Sequence, residues 1–316
     1  MNGYAENLLL SFNVVAPLFL CILLGVFLRR IGLLKKDTLG AVNSLCFRVF
    51  LPIYLFNNIY GTTLAEAFDA KLVVFSVITV LCVFLAAMLL IPRVERDNAN
   101  RGAMIQAIFR SNFALFGLPV AISLCGEDRV GPTSLLVGIL VPVYNVLAVI
   151  TLEFFRGGKP DPLKMVRGIL TNPLIVASVL GIVMNLLSVP LPEAVMKAST
   201  DLGRVATPLS LVALGGSFVL GSVRVFRKQI TLSVTAKLIL FPLAATGIAV
   251  LLGFRDEMLA PVLIFSGAPT AVSSFPMAQQ MGSNGELAAD LVVFTTGFCI
   301  LTMFVFIFIG KQLALL

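Results

Sequence analysis

Apolar residues in this chain come in blocks of about 20, too long and too evenly hydrophobic for surface helices of a soluble domain, and polar stretches between them are short. Blocks near residues 7–28, 39–59, 71–91, 101–124, 131–154, 164–187, 193–220, 229–252, 257–281 and 287–309 each have the length of a membrane-crossing helix. The pattern predicts an all-α polytopic membrane protein in which residues 1–316 form one integral membrane domain. The first block has no Lys or Arg before it, exceeds a signal-peptide core in length and is followed by Arg29 and Arg30, so it is expected to stay in the mature protein.

Composition agrees with the pattern. Hydrophobic residues make up 59% of the 316 positions and charged ones 12%, with a mean hydropathy of +1.02. A soluble domain carries about a quarter charged residues, so too few remain to coat a water-soluble globule. The chain has no His and no Trp, which removes the usual metal ligand and the side chain that titrates near neutrality. No metal or cofactor is expected. Cys21, Cys46, Cys82, Cys125 and Cys299 stand singly in or beside apolar runs and read as small buried hydrophobes.

The net charge of +7 would suggest nucleic acid in a soluble protein, but here it follows topology. Connections one, three, five and seven hold Arg29, Arg30, Lys35 and Lys36; Arg93, Arg96 and Arg101; Arg156, Lys159, Lys164 and Arg167; and Arg224, Arg227 and Lys228. Connections two, four, six and eight hold only Lys71, Arg129, Lys197 and Arg255, and the ninth, MGSNGE, holds no basic residue. The positive-inside rule puts the basic connections in the cytoplasm and both termini outside, in a multi-pass protein of the plasma (cytoplasmic) membrane.

A shift of 156 residues aligns Pro17 with Pro173, Gly25 with Gly181, Arg48 with Arg204, Val49 with Val205 and Pro52 with Pro208, so that RVFLP in helix two matches RVATP in helix seven. One further residue of slip lays LPVA at 118–121 on FPMA at 275–278, which relates helices four and nine. The expected units are residues 1–155 and 163–316. Each holds five spans, and because five is odd the two copies run in opposite directions through the membrane, the inverted-repeat plan of many transporters.

Helices four and nine combine Pro, Gly and small polar residues in mid-span, as RSNFALFGLPVA (110–121) and SGAPTAVSSFPMAQQMG (266–282). A proline inside a helix removes one donor and crowds the preceding turn, so Pro119 and the pair Pro269 and Pro276 are expected to unwind or kink these helices. In hydrocarbon the freed backbone groups survive only against protein or a watery cavity. Half-helix N-termini at such a break favour an anion, a carboxylate above all.

SNFALFGLPVA and GAPTAVSSFPMAQQMGSNGELAAD, together with ten spans and outward termini, resemble the auxin efflux carrier family, which holds plant PIN carriers and bacterial permeases proposed for malonate, malate and related acids. Only RGGKPDP separates spans five and six, so the chain is similar to the compact bacterial form rather than to plant members with a long cytoplasmic loop. The resemblance implies a scaffold of helices one, two, six and seven and a transport part of helices three to five and eight to ten, with helices four and nine crossing near their prolines. It also implies that Asn112 contacts the substrate carboxylate, and that members form homodimers through the scaffold.

The expected substrate site comprises Asn112, Ser111, Arg110, Ser273, Ser274 and Gln279, with neighbouring Gln280, beside Pro119, Pro269 and Pro276. Arg110, nine residues beyond Arg101, either snorkels toward the cytoplasm or draws anions inward. Arg48 and Arg204 lie four residues before prolines, where they could bind freed carbonyls; Asp201 is placed to pair with Arg204; Lys237 and Asp290 are candidates for a proton-linked site.

The function expected is secondary transport of a small organic anion by alternating access of the elevator type, with membrane lipid as surroundings and protons as the candidate coupling ion. No GxxxxGK[ST] phosphate loop and no HExxH occurs, so neither ATP drive nor an intramembrane metalloprotease is supported. One charge crossing 100 mV is worth about 2.3 kcal/mol, roughly fifty-fold in concentration, which would drive monoanion export unaided. Sodium-coupled organic-anion symport on a bile-acid-type fold, or a ligand-binding receptor without transport, are the alternatives.

Overall fold

The computed structural model describes residues 2–61, 69–126, 129–156, 162–218 and 220–316. Regular structure among the described residues is helical, and the one extended pairing is a β-bridge between Ser111 and Thr270. In chain order the helices are α1 (Asn2–Arg30), α2 (Lys36–Leu45), α3 (Leu51–Tyr60), α4 (Ala70–Val94), α5 (Asn98–Phe109), α6 (Phe113–Cys125), α7 (Gly131–Phe154) and α8 (Pro162–Leu170). They continue with α9 (Pro173–Leu186), α10 (Glu193–Ser217), α11 (Leu220–Val225), α12 (Arg227–Thr235), α13 (Phe241–Leu251), α14 (Asp256–Gly267), α15 (Ser274–Gln280) and α16 (Gly285–Gln312).

Five stretches, Lys36–Tyr60, Ala70–Val94, Gly131–Phe154, Arg227–Leu251 and Gly285–Gln312, are long and apolar enough to cross a membrane on length and composition. The others expected to span include helices that are interrupted, as α5–α6 and α14–α15 are, or short, as the 14-residue α9 is. α10 is more polar, with Glu193, Lys197, Asp201 and Arg204 in its first half.

Helix starts follow the local sequence. Asp69, Asp97, Asn172 and Asn284 each accept a first-turn N–H, from Leu72, Ala99, Leu174 and Leu287 at 2.8–3.0 Å. Just after α4, Glu95 accepts the N–H groups of Arg96 and Asp97 and the Gln229 side chain. Burial alone would push its carboxyl up, but these donors together hold it below the usual carboxylate range.

Two stretches pass through a wider turn before a proline. Cys46–Phe50, between α2 and α3, and Ala236–Leu240, between α12 and α13, are π-helical, and Pro52 and Pro242 follow. Proline has no N–H to return to the carbonyl four residues earlier, so the ladder shifts register there. Arg48 does not fold inward at its π-turn; its side chain is exposed. Arg204 is also exposed and pairs with Asp201 at 3.8 Å, as its spacing predicts, rather than reaching a freed carbonyl. Pro208 lies inside an unbroken α10.

Two packing groups result. In the first, α1 lies against α10, and α3 lies against α9 and α10. In the second, α4, α7 and α16 surround the broken pairs α5–α6 and α14–α15, with α13 against α14; α1 also touches α6 and α16. Glycine makes the α1–α10 contact possible: a Cβ at Gly215 would lie 2.0 Å from the Ile22 carbonyl oxygen, and one at Gly25 would lie 2.1 Å from that of Val212. Such backbone-to-backbone approach is how membrane helices gain dispersion energy without a hydrophobic drive between them.

Gly215→Ala should therefore force α1 from α10 and cost about 2 kcal/mol or more, read as a lower melting temperature of the purified protein. Gly247→Ala, on α13 with open space around its added Cβ, should leave that temperature unchanged or raise it.

Candidate functional site

The two interrupted helices meet at their interruptions. After α5 the backbone turns extended at Arg110 (φ −83°, ψ 122°), and α6 begins after Asn112. After α14 it turns extended at Ala268 (φ −61°, ψ 150°), as the residue before a proline prefers, and α15 begins after Ser273. The extended residues then pair: Ser111 bridges Thr270, and the Asn112 N–H donates to the Pro269 carbonyl at 2.8 Å. Thr270 Oγ1 donates to the Ala107 carbonyl at 2.9 Å, and Gln106 Nε2 donates to the Ser274 carbonyl at 3.1 Å.

The expectation that Pro119 opens helix four is corrected. Pro119 is exposed within a continuous α6, and the opening lies at Arg110–Asn112, so Asn112 sits in the break itself. Inside α6 a proline forfeits one ladder bond, which a 13-residue helix survives; the pairing with Thr270 is what draws residues 110–112 out of helical geometry. Pro269 does lie in its break. Pro276 is the third residue of α15, where its missing N–H is one that the first turn leaves without an intrahelical acceptor anyway.

A cavity of about 40 Å³ opens beside the crossing. Arg110, Ser111, Asn112 and Ser273 form one side of it, and Tyr54, Thr207 and Ser210 from the α3–α10 group form part of the other. This volume has room for a few waters, so a carboxylate requires the walls to part.

Arg110 dominates the site's electrostatics. Its guanidinium is 3% exposed and donates to Asn145 Oδ1 at 2.5 Å and Ser273 Oγ at 2.7 Å, with Met277 Sδ alongside. The ion pairs among the described residues are Arg129–Glu257, Arg156–Glu153 and Arg204–Asp201, and none reaches Arg110. A buried cation held by neutral acceptors retains most of its desolvation cost, and an arriving anion relieves it. Asn112, 7% exposed, has a side-chain Nδ2 without a hydrogen-bond partner. It stands directly before the first turn of α6, whose amides and dipole also favour negative charge.

The remaining predicted residues divide. Ser274 is buried and does not line the cavity. Gln279 is exposed, accepts a hydrogen bond from Asn43 Nδ2, and lines a second cavity of about 510 Å³ with Arg29, Lys36, Asn284 and Glu286. Gln280 is half-buried and lines neither cavity. Lys237 is fully buried and donates to Ser111 Oγ and to the Ser266 carbonyl, so it adjoins the crossing. Asp290 is buried elsewhere and accepts from Ser222.

Sequence reasoning passed over Tyr144, Asn145, Thr207 and Ser210. Asn145 had a usable signal, a lone amide inside the apolar run of α7. There its Nδ2 donates back to the Val141 carbonyl at 2.8 Å, which turns Oδ1 toward Arg110.

Comparison with known proteins bears on this arrangement. Residues 10–307 match the family described as "Membrane transport protein". A "Putative malonate transporter" of Rhizobium meliloti is 25% identical over 291 residues, covering 90% of this chain and 91% of its own. An uncharacterized transporter of Methanothermobacter thermautotrophicus is 25% identical over 286 residues, covering 89% and 91%. One of Methanocaldococcus jannaschii is 21% identical over 306 residues, covering 93% and 97%. Matched over nearly its whole length, the chain belongs to this family of integral membrane transporters, the auxin efflux carrier family that its two broken-helix motifs resemble.

Proposed function

We propose that this transporter moves small organic anions, carboxylates above all, across the cytoplasmic membrane by alternating access. Arg110 carries the reading. Its guanidinium is buried beside the unpaired Asn112 amide, where two helix breaks cross, and has no acidic partner among the described residues. A carboxylate offers two oxygens to a guanidinium fork and an amide donor, and it would replace the Asn145 and Ser273 acceptors that Arg110 uses without substrate. The name of the R. meliloti relative points to the same chemical class.

The spans proposed are ten, arranged as inverted units 1–155 and 163–316 with both termini outside. The RVxxP recurrence and the meeting of breaks in α5–α6 and α14–α15 support that plan. On this plan α1, α2–α3, α8–α9 and α10 form a scaffold, and α4–α7 with α12–α16 move past it in the elevator manner. The small cavity lies between these groups, where relative motion would expose it to either side. The second cavity, with Arg29 and Lys36 at its edge, lies at the end assigned to the cytoplasm and would draw anions toward the site. Homodimerisation through the scaffold and coupling to protons complete the proposal.

Solute counterflow in proteoliposomes should show exchange of at least one mono- or dicarboxylate and none of cationic amino acids; a panel in which no carboxylate exchanges would sink the reading. With an accepted substrate, Arg110→Gln should lower kcat/KM by about a hundredfold or more, since it removes a desolvated charge from the anion. Asn112→Ala should lower it by about tenfold, the worth of one hydrogen bond to a charged group. Pro119→Ala, outside the break, should transport at close to the wild-type rate. Equal losses in all three variants would mean that the site lies elsewhere on helix four.

A further inference from the structure

At the end of α14 the last-turn carbonyls have no further helix to accept from, and each finds a donor. Ile264 accepts from the Ala268 N–H, Phe265 from Ser111 Oγ, Gly267 from Cys299 Sγ, and Ser266 from the ammonium of Lys237 at 3.2 Å. Three of these donors are neutral. The fourth is the Nζ of an ionisable side chain with no exposed surface, delivered by the π-helical turn that precedes Pro242. A long neutral donor such as a glutamine amide could cap the same carbonyl, so capping alone does not explain an ammonium that is costly to bury.

The surroundings of Nζ resemble a cation shell more than a helix cap. Ser111 Oγ, from the break between α5 and α6, and the Ser266 carbonyl, from the end of α14, contribute one oxygen each from the two crossing helices. The third side is closed by the Phe241 ring, whose centroid lies 4.8 Å from Nζ. No acidic residue pairs with Lys237 among the described residues, so the attraction comes from neutral oxygen dipoles, a π-face and the negative end of the α14 dipole. That donor set suits a monovalent cation. Ser111 connects this shell to the anion site, because the same residue bridges Thr270 and lies between Arg110 and Asn112.

We infer that Lys237 is a resident cation, holding between the crossing helices the position that a bound sodium or similar monovalent ion would otherwise fill, and so freeing anion transport by this protein from any need for sodium. Its ammonium cannot dissociate from the protein, so the crossing stays assembled and electropositive with substrate absent. The inference rests on the anion-transport reading for its transport consequence, while occupancy of the shell can be read without transport. Lys237→Ala should leave a cation-sized hole lined by the same oxygens and ring, which a small free cation enters.

The test uses purified full-length protein. Lys237→Ala should melt below wild type, and methylammonium chloride or sodium chloride should raise its melting temperature saturably, whereas choline chloride at equal ionic strength should not. Lys237→Met, which fills the hole with apolar atoms, should show no such response, and neither should wild type. In proteoliposomes, wild-type counterflow should be unchanged when choline replaces sodium. Lys237→Ala should lose about tenfold or more in choline and recover most of that loss in methylammonium or sodium.

An alanine variant that neither cation stabilises or reactivates would reduce Lys237 to a helix cap and overturn the inference. Wild-type counterflow that depends on sodium would overturn it too, and needs no variant to fold. Saturable stabilisation of Lys237→Ala, with no carboxylate moved by wild type, would uphold the cation site while rejecting the transport reading.

Discussion

Every backbone group released where two helices break must find a partner inside the membrane, and the rest of this structure follows from how that requirement is met. An unpaired amide or carbonyl in hydrocarbon costs several kcal/mol. One broken helix would leave several of them. Here two breaks are laid across each other, so that Ser111 pairs with Thr270 and Asn112 donates to Pro269, while Gln106 of α5, Thr295 of α16 and Lys237 of the π-turn before α13 bond the backbone of Ser274, Thr270 and Ser266. The crossing is thus held by one isolated β-bridge and its flanking hydrogen bonds inside a helical protein.

That bonding lets the crossing hold charge. Arg110 and Lys237 approach it from different sides, one toward the cavity and one toward the end of α14, and neither meets a carboxylate among the described residues. Two cations within one domain interior would repel and would draw in water if their neighbours could rearrange. Instead each is held by oriented neutral oxygens, Asn145 and Ser273 for Arg110, and Ser111 and the Ser266 carbonyl for Lys237. Under the proposed function this arrangement is a preorganised anion site, in which the cost of burying positive charge has been met on folding, and the substrate supplies the counter-charge.

Much of this was legible in the sequence, and the parts that were not have a common cause. The helical blocks, their polar junctions and the two broken segments could be read because hydropathy, Pro and Gly act locally. Pro269 was found at its break for the same reason, since it pushes Ala268 into extended geometry. Pro119 misled, because the opening in helix four is set by a partner strand 159 positions away, the Ser111–Thr270 pairing, and local proline chemistry contains no trace of it. Lys237 and Asn145 were equally hard to place: a lone polar residue in an apolar run announces that it has a partner without naming it. Gln279 sat in the right segment but on the face of α15 that turns to Asn43.

The contrast between the two packing groups bears on how a cavity this small could serve a carboxylate. Between α1 and α10 the contact is backbone on backbone at glycine, with no side chain to yield, so those helices can only move together. The cavity is different: one side comes from α3 and α10 through Tyr54, Thr207 and Ser210, and the other from the crossing. Among the described residues no hydrogen bond joins Arg110, Ser111 or Asn112 to α3 or α10; their side-chain partners belong to α7, α14, α15, the second break and the π-turn before α13. Separating the two sides therefore breaks van der Waals contact while the crossing stays intact. Elsewhere the same seam is crossed by the Asn43–Gln279 and Asn172–Met281 contacts, so under the proposed function those are the directional bonds that a motion enlarging the cavity has to exchange.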